Sequence, residues 1–450
     1  MRVIASGIVR YILKMKHYLK YILAFTFFLP VLTGIPLLSR SASILIPMDD
    51  IQKDHLKSYG IAFWVLKNGG EVDWLLNYRG GSFMTRYDKK IENECNVRGV
   101  SLEILADAKV SEILTQISDP SVNMDLVKLE KAPRIAVYSP KNRGALEDAV
   151  VLVLNYAEIP FDYIYDEGVI KGDLPKYDWL HLHHEDFTGQ YSKMTGGGRN
   201  REWNAENRIM QDDNEESKPA QEALARKLGF KKVSKMKLAV AQDIRAFCAG
   251  GGFLFAMCSG ADSFDIALAA ANTDICDAIY DGDPADPDAQ SKLDFSQTLA
   301  FRNFTVDLDP YSHRFSDIDV SRTRHVRQSE DFFTLFDFSA KWDVVPSMLT
   351  QNHERVIKGF KGLATAFNKN MLKPGVTIMG EMKSANEARY IHGEYGKGQW
   401  TFYGGHDPED YQHGRNEPPT DLSLHPNSPG YRLILNNVLF PAARKRKLKT

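Results

Sequence analysis

The sequence predicts an α/β fold built around a parallel sheet, and three observations support this prediction. Short apolar runs alternate with helical patterns over residues 44–183, which is the rhythm of repeated strand–helix units. Residues 253–257 form an apolar run of strand length that turns at Cys258 into another helical pattern. The rhythm is lost over residues 293–403, where the patterns favour strands. We therefore expect a parallel sheet with β-rich additions in the C-terminal third of the chain.

The composition is that of an ordinary globular protein with room for two or three domains. The chain has 450 residues, 43% of them hydrophobic and 25% charged, which places it in the globular class. Its net charge of -2 provides no basic footprint for a polyanion, so we expect no nucleic-acid partner. The chain has only four cysteines and is far too large to need disulfide bonds for its stability. A disulfide from Cys258 to Cys248 or Cys276 would exclude Cys258 as a nucleophile.

The N-terminal segment, residues 1–43, predicts a secretory signal peptide. Basic residues precede an apolar run over residues 21–38, and residues 39–43 are small enough for cleavage. Met15 is a possible true start, because the basic region is unusually long. An uncleaved anchor is the alternative, but prolines interrupt the apolar run. We expect export to the periplasm, the cell envelope or the medium, with no stable membrane span after cleavage.

Residues 44–130 predict an N-terminal α/β lobe. We expect this lobe either to extend the main parallel sheet or to form a small unit of its own. The patterns predict helices at 55–67 and 110–117, and strands at 44–47, 72–76 and 101–105.

Pro133 marks a restart, and residues 131–443 predict the main α/β domain. A stretch at 188–219 rich in glycine, asparagine and charge predicts a surface insertion. The β-rich segment, 293–403, has its clearest signal in a hairpin that ends in strand 399–403. Residues 444–450 form a basic tail. The other expected elements are strands at 134–138, 161–165, 178–183, 253–257 and 376–379, and helices at 145–157, 236–247 and 431–443.

Cys258 lies where a strand turns sharply into a helix, which is the geometry of a nucleophile elbow. The positive end of the helix dipole favours a thiolate at this position. The N–H groups of Ser259 and Gly260 are candidate donors to an oxyanion. A buried core cysteine at the end of a central strand is the alternative interpretation.

His406 follows strand 399–403 after two glycines, and the carboxylates of Asp407 and Glu409 come close behind it. A thiol nucleophile needs a base, and that base needs an acceptor that fixes its tautomer. Cys258, His406 and Glu409 therefore form a candidate catalytic triad, provided that the two strands are neighbours. A turn with a merely exposed His406 is the alternative.

A third candidate is the run His181-Leu182-His183-His184-Glu185-Asp186. On a strand, His181 and His183 point to the same face and form a workable metal pair, which His406 is a candidate to complete. His183, His184 and Glu185 lie at the carboxyl end of the strand, on the ligand-binding edge of a parallel sheet. We expect no obligatory cofactor, with a divalent metal as the alternative. Hydrogen bonding within the sheet edge is the other interpretation of these histidines.

Two basic features also follow from the sequence. Arg79 precedes Gly80 and Gly81 after a strand, where it is a candidate anion-binding residue. A short basic run is open to two interpretations, a solvated face or a carboxylate clamp; its members are Arg322, Arg324, His325 and Arg327.

The strand–Cys–helix elbow, followed by a late strand that ends in His with Glu shortly after, resembles the class I glutamine amidotransferase-like superfamily. The resemblance implies a flavodoxin-like parallel sheet and a triad of Cys258, His406 and Glu409. Four phrases resemble, more closely, a family of exported bacterial proteins commonly called asparagine synthetase B: I-P-M-D-D (46–50), V-D-W-L-L-N-Y-R-G-G-S-F (72–83), W-L-H-L-H-H-E-D-F-T-G-Q-Y (179–191) and F-Y-G-G-H-D-P-E-D-Y-Q-H (402–413).

The activity in that family name is not expected of this chain. Glutamine-dependent asparagine synthetases resemble one another in an N-terminal Cys nucleophile and an S-G-G-x-D-S loop for ATP. Here Arg2 follows Met1, and the loop sequence does not occur. Glutamine-dependent asparagine synthesis therefore ranks below three other hypotheses.

The first hypothesis is an exported cysteine-dependent hydrolase or amidase of unknown substrate. The second is a non-catalytic envelope protein that uses the same cleft to bind a small molecule, a glycan or a peptide. The third is a metal-dependent hydrolase built on His181 and His183. The sequence makes no prediction of an oligomeric state.

Overall fold

The computed structural model of the chain describes residues 41–140, 148–190, 193, 218–412 and 417–444. The predicted signal peptide up to residue 40, most of the predicted insertion and the tail from residue 445 lie outside the described residues. The fifteen strands, β1 to β15, are Ser41–Ile46, Val72–Leu76, Ser82–Arg86, Glu103–Ala106, Asp125–Leu129, Ile135–Tyr138, Asp162–Ile164, Trp179–Leu182, Phe253–Met257, Phe332–Leu335, Val356–Lys358, Phe367–Asn368, Thr377–Met382, Glu387–Tyr395 and Gly398–Tyr403.

Eleven α-helices connect these strands within the described residues. They are numbered α1 to α11 and span His55–Lys67, Lys89–Arg98, Asp107–Ser118, Ala149–Tyr156, Asp166–Ile170, Lys218–Lys227, Val233–Gly250, Ser259–Ala269, Ala278–Asp281, Val344–Leu349 and Pro429–Leu439. None of the described helices is long and apolar enough to cross a membrane.

The first five strands form a sheet of their own in the order β4-β1-β3-β2-β5. Every neighbouring pair in this sheet is antiparallel. Of the two alternatives for this lobe, the structure has the separate unit, and its strands are antiparallel instead of extending the parallel sheet. The turn between β2 and β3 shows why: Asn77 and Gly81 adopt positive φ values of 59° and 91°, and the chain reverses within a few residues. Such a short connection joins antiparallel strands, whereas parallel strands need a long crossover.

The second sheet has ten strands in the order β11-β10-β13-β14-β15-β9-β8-β6-β7, with β12 paired to β14 off this path. The strands β15, β9, β8, β6 and β7 are mutually parallel. From β15 outward the pairing is antiparallel, because β14 and β15 form the hairpin that the sequence predicts. This mixed sheet confirms the α/β class and the change to antiparallel strands after the elbow.

Strand β9 lies at the centre of the parallel half, and its sequence explains its place. All five residues of the Phe253–Met257 strand are apolar, and four of them are fully buried. A strand covered on both faces by helices needs a continuous apolar run of this kind. Helix α7 ends before β9 at Gly251, whose φ of 119° favours glycine.

The two sheets share one hydrophobic core. Helices α1, α4 and α11 contact one another and carry buried apolar side chains into this core. Trp74 of the first sheet and Phe255 of the second belong to the same cluster as Leu433 of α11. The opposite face of the second sheet packs against α7 and α8 in a separate core. The carboxyl ends of the parallel strands are therefore held between packed layers.

Candidate functional site

Four parallel strands deliver polar side chains to one edge of the second sheet. Asp148 comes after β6 and precedes α4, and His183 comes directly after β8. Cys258 follows β9, and His406 follows β15. Because these strands are parallel neighbours, their carboxyl ends lie at the same edge, where ligands bind in open α/β sheets.

Three imidazoles meet at this edge, and we call His183, His184 and His406 the histidine cluster. One ring nitrogen from each lies within 4.8 Å of the other two. The rings of His183 and His184 are stacked at 3.7 Å, and the His406 ring lies 4.8 Å and 4.3 Å from them. His183 is buried, whereas the other two are half-buried. The arrangement has the donor set and the partial access that a catalytic metal site requires.

Asp148 contacts the histidine cluster through His183. Its carboxylate caps α4 by accepting the N–H groups of Val150 and Val151. The same Oδ1 lies 3.1 Å from Nδ1 of His183 and 3.2 Å from Nε2 of His181. Burial alone would raise the pKa of Asp148, but the two imidazoles hold it well below its ordinary value. A carboxylate at Nδ1 favours the tautomer of His183 that carries its lone pair on Nε2.

The predicted metal pair of His181 and His183 comes together with Asp148 in a second group, whose ligand atoms lie within 4.8 Å of one another. Its Nε2 lies 3.2 Å from Asp148 Oδ1, and its Nδ1 lies 3.3 Å from the Phe255 carbonyl oxygen. The side chain is fully buried within the sheet. Both ring nitrogens are therefore engaged, so His181 holds Asp148 in place. His184 and His406, not His181, bring imidazoles to His183 from its open side.

His406 lies next to His183 and His184. Its ring stacks on Phe360 at 5.1 Å with an interplanar angle of 14°. The Glu409 carboxylate lies 3.1 Å from Lys358 Nζ and 3.4 Å from His425 Nδ1. Asp407 is also used locally, because its carboxylate accepts the backbone N–H of Glu409. The triad of Cys258, His406 and Glu409 stays a prediction that these contacts do not support.

Cys258 lies at a sharp turn between a strand and a helix, as the sequence predicts. It has φ 49° and ψ -142°, a combination that residues with a side chain rarely adopt. Helix α8 begins at the next residue, as the sequence predicts. The N–H of Gly260, a predicted oxyanion donor, instead donates to the His183 carbonyl at 2.6 Å. The elbow is thus bonded to the histidine strand, and that donor is already used.

The surroundings of Cys258 oppose ionisation of its thiol. The side chain is 3% exposed, and all four cysteines of the chain are free. Burial raises the pKa of Cys258 to about 12; the backbone N–H of Ser259 opposes this rise, and Asp262 and Asp319 each add a smaller increase. Burial and the neighbouring Asp319 likewise raise the pKa of Asp262 well above its ordinary value. The backbone of the elbow fits a nucleophile, whereas its electrostatics favour a neutral thiol.

The other predicted residues take structural positions. Glu185 is buried, and its carbonyl accepts the hydroxyl of Ser263 on α8. Arg79 belongs to the antiparallel lobe, where its guanidinium contacts Asp49 at 2.6 Å and Glu103 at 2.7 Å. The predicted anion-binding Arg79 therefore already binds two carboxylates of the chain.

A further group with metal-ligand chemistry combines Asp274, Cys276 and Asp281. The ammonium of Lys232 lies 2.7 Å from Asp274 and 3.1 Å from Asp281. A lysine cation therefore satisfies these carboxylates. Of the three groups of this kind in the described residues, the histidine cluster and the group of Asp148, His181 and His183 share His183 and lie at the ligand-binding edge.

Sequence reasoning missed Asp148, although a signal for it existed. The helical pattern was assigned to residues 145–157, which places Asp148 inside the helix rather than at its cap. An Asp directly before the apolar run Ala149–Tyr156 is a typical N-cap. An N-cap carboxylate that follows the first strand of the parallel half lies at the carboxyl edge of the sheet. The N-cap pattern therefore identifies Asp148 as a candidate site residue.

Comparisons with known proteins add little to this geometry. No protein-family model and no curated protein matches the chain. It is similar to the cytoplasmic protein STM3548 from Salmonella typhimurium, with a TM-score of 0.34 and 11% identity over 70% of this chain and 100% of that chain. The cytoplasmic protein STM1381 from Salmonella typhimurium LT2 gives a TM-score of 0.28 and 13% identity over 63% and 91%. Gan42B, a GH42 beta-galactosidase, gives 0.26 and 12% over 62% and 28%. Likenesses this weak carry no argument.

Proposed function

We propose that this chain is an exported metal-dependent hydrolase whose ion is held by His183, His184 and His406. The observation that carries the proposal is the convergence of three imidazole nitrogens within 4.8 Å. A tetrahedral zinc site with Zn–N distances of about 2.1 Å needs nitrogens about 3.4 Å apart, and the stacked rings of His183 and His184 would have to turn to direct both lone pairs at one ion. Three imidazoles suit zinc, copper, iron or nickel better than magnesium or calcium.

The residues around the cluster supply positioning and shielding. A metal with an open position would lower the pKa of its bound water to about 7. The Asp148 carboxylate lies 3.1 Å from Nδ1 of His183, where its negative charge favours a proton on that nitrogen. Phe360 packs flat against His406 and covers one face of that imidazole. The bond from Gly260 to the His183 carbonyl fixes the backbone from which His183 and His184 project.

The strand order supports a flavodoxin-like sheet as part of this proposal. When the five parallel strands β6, β7, β8, β9 and β15 are numbered 1 to 5 along the chain, their order across the sheet is 2-1-3-4-5. The switch point of such a sheet lies between β6 and β8. Asp148 follows β6 and His183 follows β8, so the site lies where that fold binds its ligands. Export, which the first 43 residues predict, is the localisation that we propose with it.

A cysteine-dependent hydrolase is the second candidate, because the strained backbone of Cys258 favours it. Its φ of 49° and ψ of -142° at a strand–helix turn are the conformation of a nucleophile elbow. For this reaction Cys258 would have to lose its proton in the presence of substrate. The two candidates differ in which side chain is indispensable.

Metal content and hydrolysis by matched variants test the proposal. Zinc titration by calorimetry and elemental analysis of the purified full chain should show one tightly bound ion. His184→Ala and His406→Ala should lose this ion, whereas His425→Ala, a histidine that contacts Glu409 outside the cluster, should keep it.

Hydrolysis of p-nitrophenyl esters, phosphates and glycosides then separates the two functions. The proposal expects Cys258→Ala to retain activity and His184→Ala to lose it. Absence of bound metal in the wild type, or activity that depends on Cys258 and survives in metal-free protein, contradicts it. No metal and no hydrolysis would leave the non-catalytic binding protein as the remaining hypothesis.

A further inference from the structure

One cavity of the described residues has no lining residue from the histidine cluster. Its volume is about 680 Å³, within the range of small-molecule sites. One wall comes from the predicted basic run, at Thr323, Arg324 and His325, and the opposite wall from the turn between β13 and β14. Neither the metal site nor the elbow accounts for this cavity.

Two buried ion pairs lie at the base of this cavity, and we call Arg324, Asp331, Glu387 and Arg389 the charged floor. Asp331 lies 2.8 Å from Arg324 and 2.7 Å from Arg389, and Glu387 lies 2.9 Å from Arg389. Their side chains are at most 8% exposed. Arg389 is the extra residue of a bulge in β14, which redirects its side chain. Two guanidinium groups face two carboxylates, so the floor as a whole is neutral.

Buried ion pairs of this kind are expensive to desolvate and add little to stability. The chain nevertheless retains two of them directly under an open cavity. The contacts of Glu387 with Arg389 and Arg324 are all made through Oε2. Glu387 and Arg324 also line the cavity, so the ion pairs reach its wall.

The walls carry groups that bind hydroxyls. Amides and hydroxyls both donate and accept, as a hydroxyl of a ligand does. Arg324 and Glu387 neutralise each other, and Glu330, which also lines the cavity, pairs with Arg327, so these charges are already compensated within the chain and favour a ligand without net charge. The remaining lining includes the hydroxyls, amides and apolar groups of Thr323, Asn368, Ser384, Asn386, Val320 and Val326.

We propose that this cavity binds a neutral polyhydroxylated ligand, the chemistry of a sugar. Apolar side chains on the same wall can cover the C–H faces of the ligand, while amides and hydroxyls bind its polar edge. The proposal stands whether or not the histidine cluster binds a metal.

The cavity is nonetheless connected to the histidine cluster through a single residue. Arg324, on the cavity wall, donates to the Phe360 carbonyl at 2.7 Å. The Phe360 ring in turn stacks on His406.

Saturation-transfer NMR and calorimetry on the full chain test the proposal with a defined panel. The neutral probes are glucose, galactose, mannose, N-acetylglucosamine, maltose, cellobiose and lactose, and the charged comparators are glucuronate and glucosamine. At least one neutral sugar should bind saturably with a Kd below about 1 mM.

Variants then locate the binding. Ser384 is exposed on the cavity wall, so Ser384→Trp should fill the cavity and weaken binding at least tenfold. Ser118→Trp, at an exposed site outside the cavity, is the matched control and should bind like the wild type. His184→Ala should also keep the sugar affinity, which separates this site from the proposed metal site. Failure of every neutral sugar to bind, preference for a charged comparator, or full affinity in Ser384→Trp overturns the proposal.

Discussion

The histidine cluster and the Cys258 elbow lie at the ends of neighbouring strands, yet their physical properties differ. The elbow has the backbone of a reactive site, with φ 49° and ψ -142°, but its thiol is 3% exposed and faces two carboxylates. The cluster has ordinary loop backbone, but it brings three imidazoles together and backs one of them with Asp148.

This difference teaches that backbone geometry and chemical reactivity are separate properties. A strained turn aims a side chain, whereas its charge state depends on burial and on neighbouring charges. At Cys258 those two factors favour the neutral thiol. At His183 the Asp148 carboxylate favours a tautomer that can bind a metal. The following predictions test this contrast, from the largest expected effect to the smallest.

The alkylation rate of Cys258 should be about a thousandfold below that of an ordinary cysteine at pH 8, because burial raises its pKa to about 12. The thiolate fraction, and with it the rate, should rise tenfold per pH unit from pH 7 to pH 9. Peptide-level mass spectrometry after iodoacetamide pulses measures this rate. The same peptide in denaturant is the control and should react as a normal thiol. A rate that levels off near pH 7 would show that Cys258 is an activated nucleophile after all.

Asp148→Asn should weaken zinc affinity about 10- to 100-fold, because the carboxylate that orients His183 is lost. Asparagine still caps α4, so the helix itself should remain. Calorimetric zinc titration measures the effect, and circular dichroism checks the fold.

Asp54→Asn is the matched control for this prediction, because Asp54 caps α1 without contacting the cluster. It should leave zinc affinity unchanged. Equal affinities in the wild type and Asp148→Asn would remove Asp148 from the site.

Gly260→Ala should lower the free energy of unfolding by about 2 kcal/mol. A Cβ at this position would lie 2.6 Å from the His183 carbonyl oxygen, which is backbone and cannot move aside cheaply. Denaturant unfolding measures the loss. Gly250→Ala is the control, since its Cβ would meet nothing within 4 Å, and this variant should be as stable as the wild type. An unperturbed Gly260→Ala would show that the elbow and the histidine strand are not tightly coupled.

Glu409→Gln should have the smallest effect, a loss of about 1 kcal/mol or less in the free energy of unfolding. Its carboxylate contacts Lys358, which is 63% exposed, and the partly exposed His425. Zinc affinity should not change. A loss of hydrolysis by a factor of about 100 or more would instead identify Glu409 as a member of the triad.

Much of the fold followed from local sequence patterns. The apolar run at Phe253–Met257 and the turn at Cys258 are local features, and the structure has them as predicted. The hairpin of β14 and β15 was also recognisable from its turn. The antiparallel pairing of β1 to β5 was not, because a strand–helix rhythm specifies elements and not their partners.

In the candidate site, too, some residues could be predicted from the sequence and others could not. His181, His183 and His406 were identified because their residue type is rare and chemically distinct. The contact of His183 with Asp148 joins segments whose proximity depends on sheet order, which the sequence pattern does not encode. The charged floor was missed for the same reason, since Asp331 and Arg389 meet only in the folded sheet. Of the predicted basic run, Arg324 does clamp a carboxylate, but that carboxylate is Asp331 of the same chain.

The position of β15 has a consequence for how the protein is made. This strand pairs with β9, roughly 150 residues earlier in the chain, and closes the parallel half of the sheet. Until β15 has been synthesised, one edge of β9 stays unpaired, and an unpaired strand edge promotes association with other chains. His406 follows β15 in the chain, so the histidine cluster assembles only after this strand has been synthesised. A chain truncated before β15 therefore lacks both the complete parallel half of the sheet and the complete histidine cluster. The nascent chain cannot assemble the proposed metal site before this half of the sheet has folded.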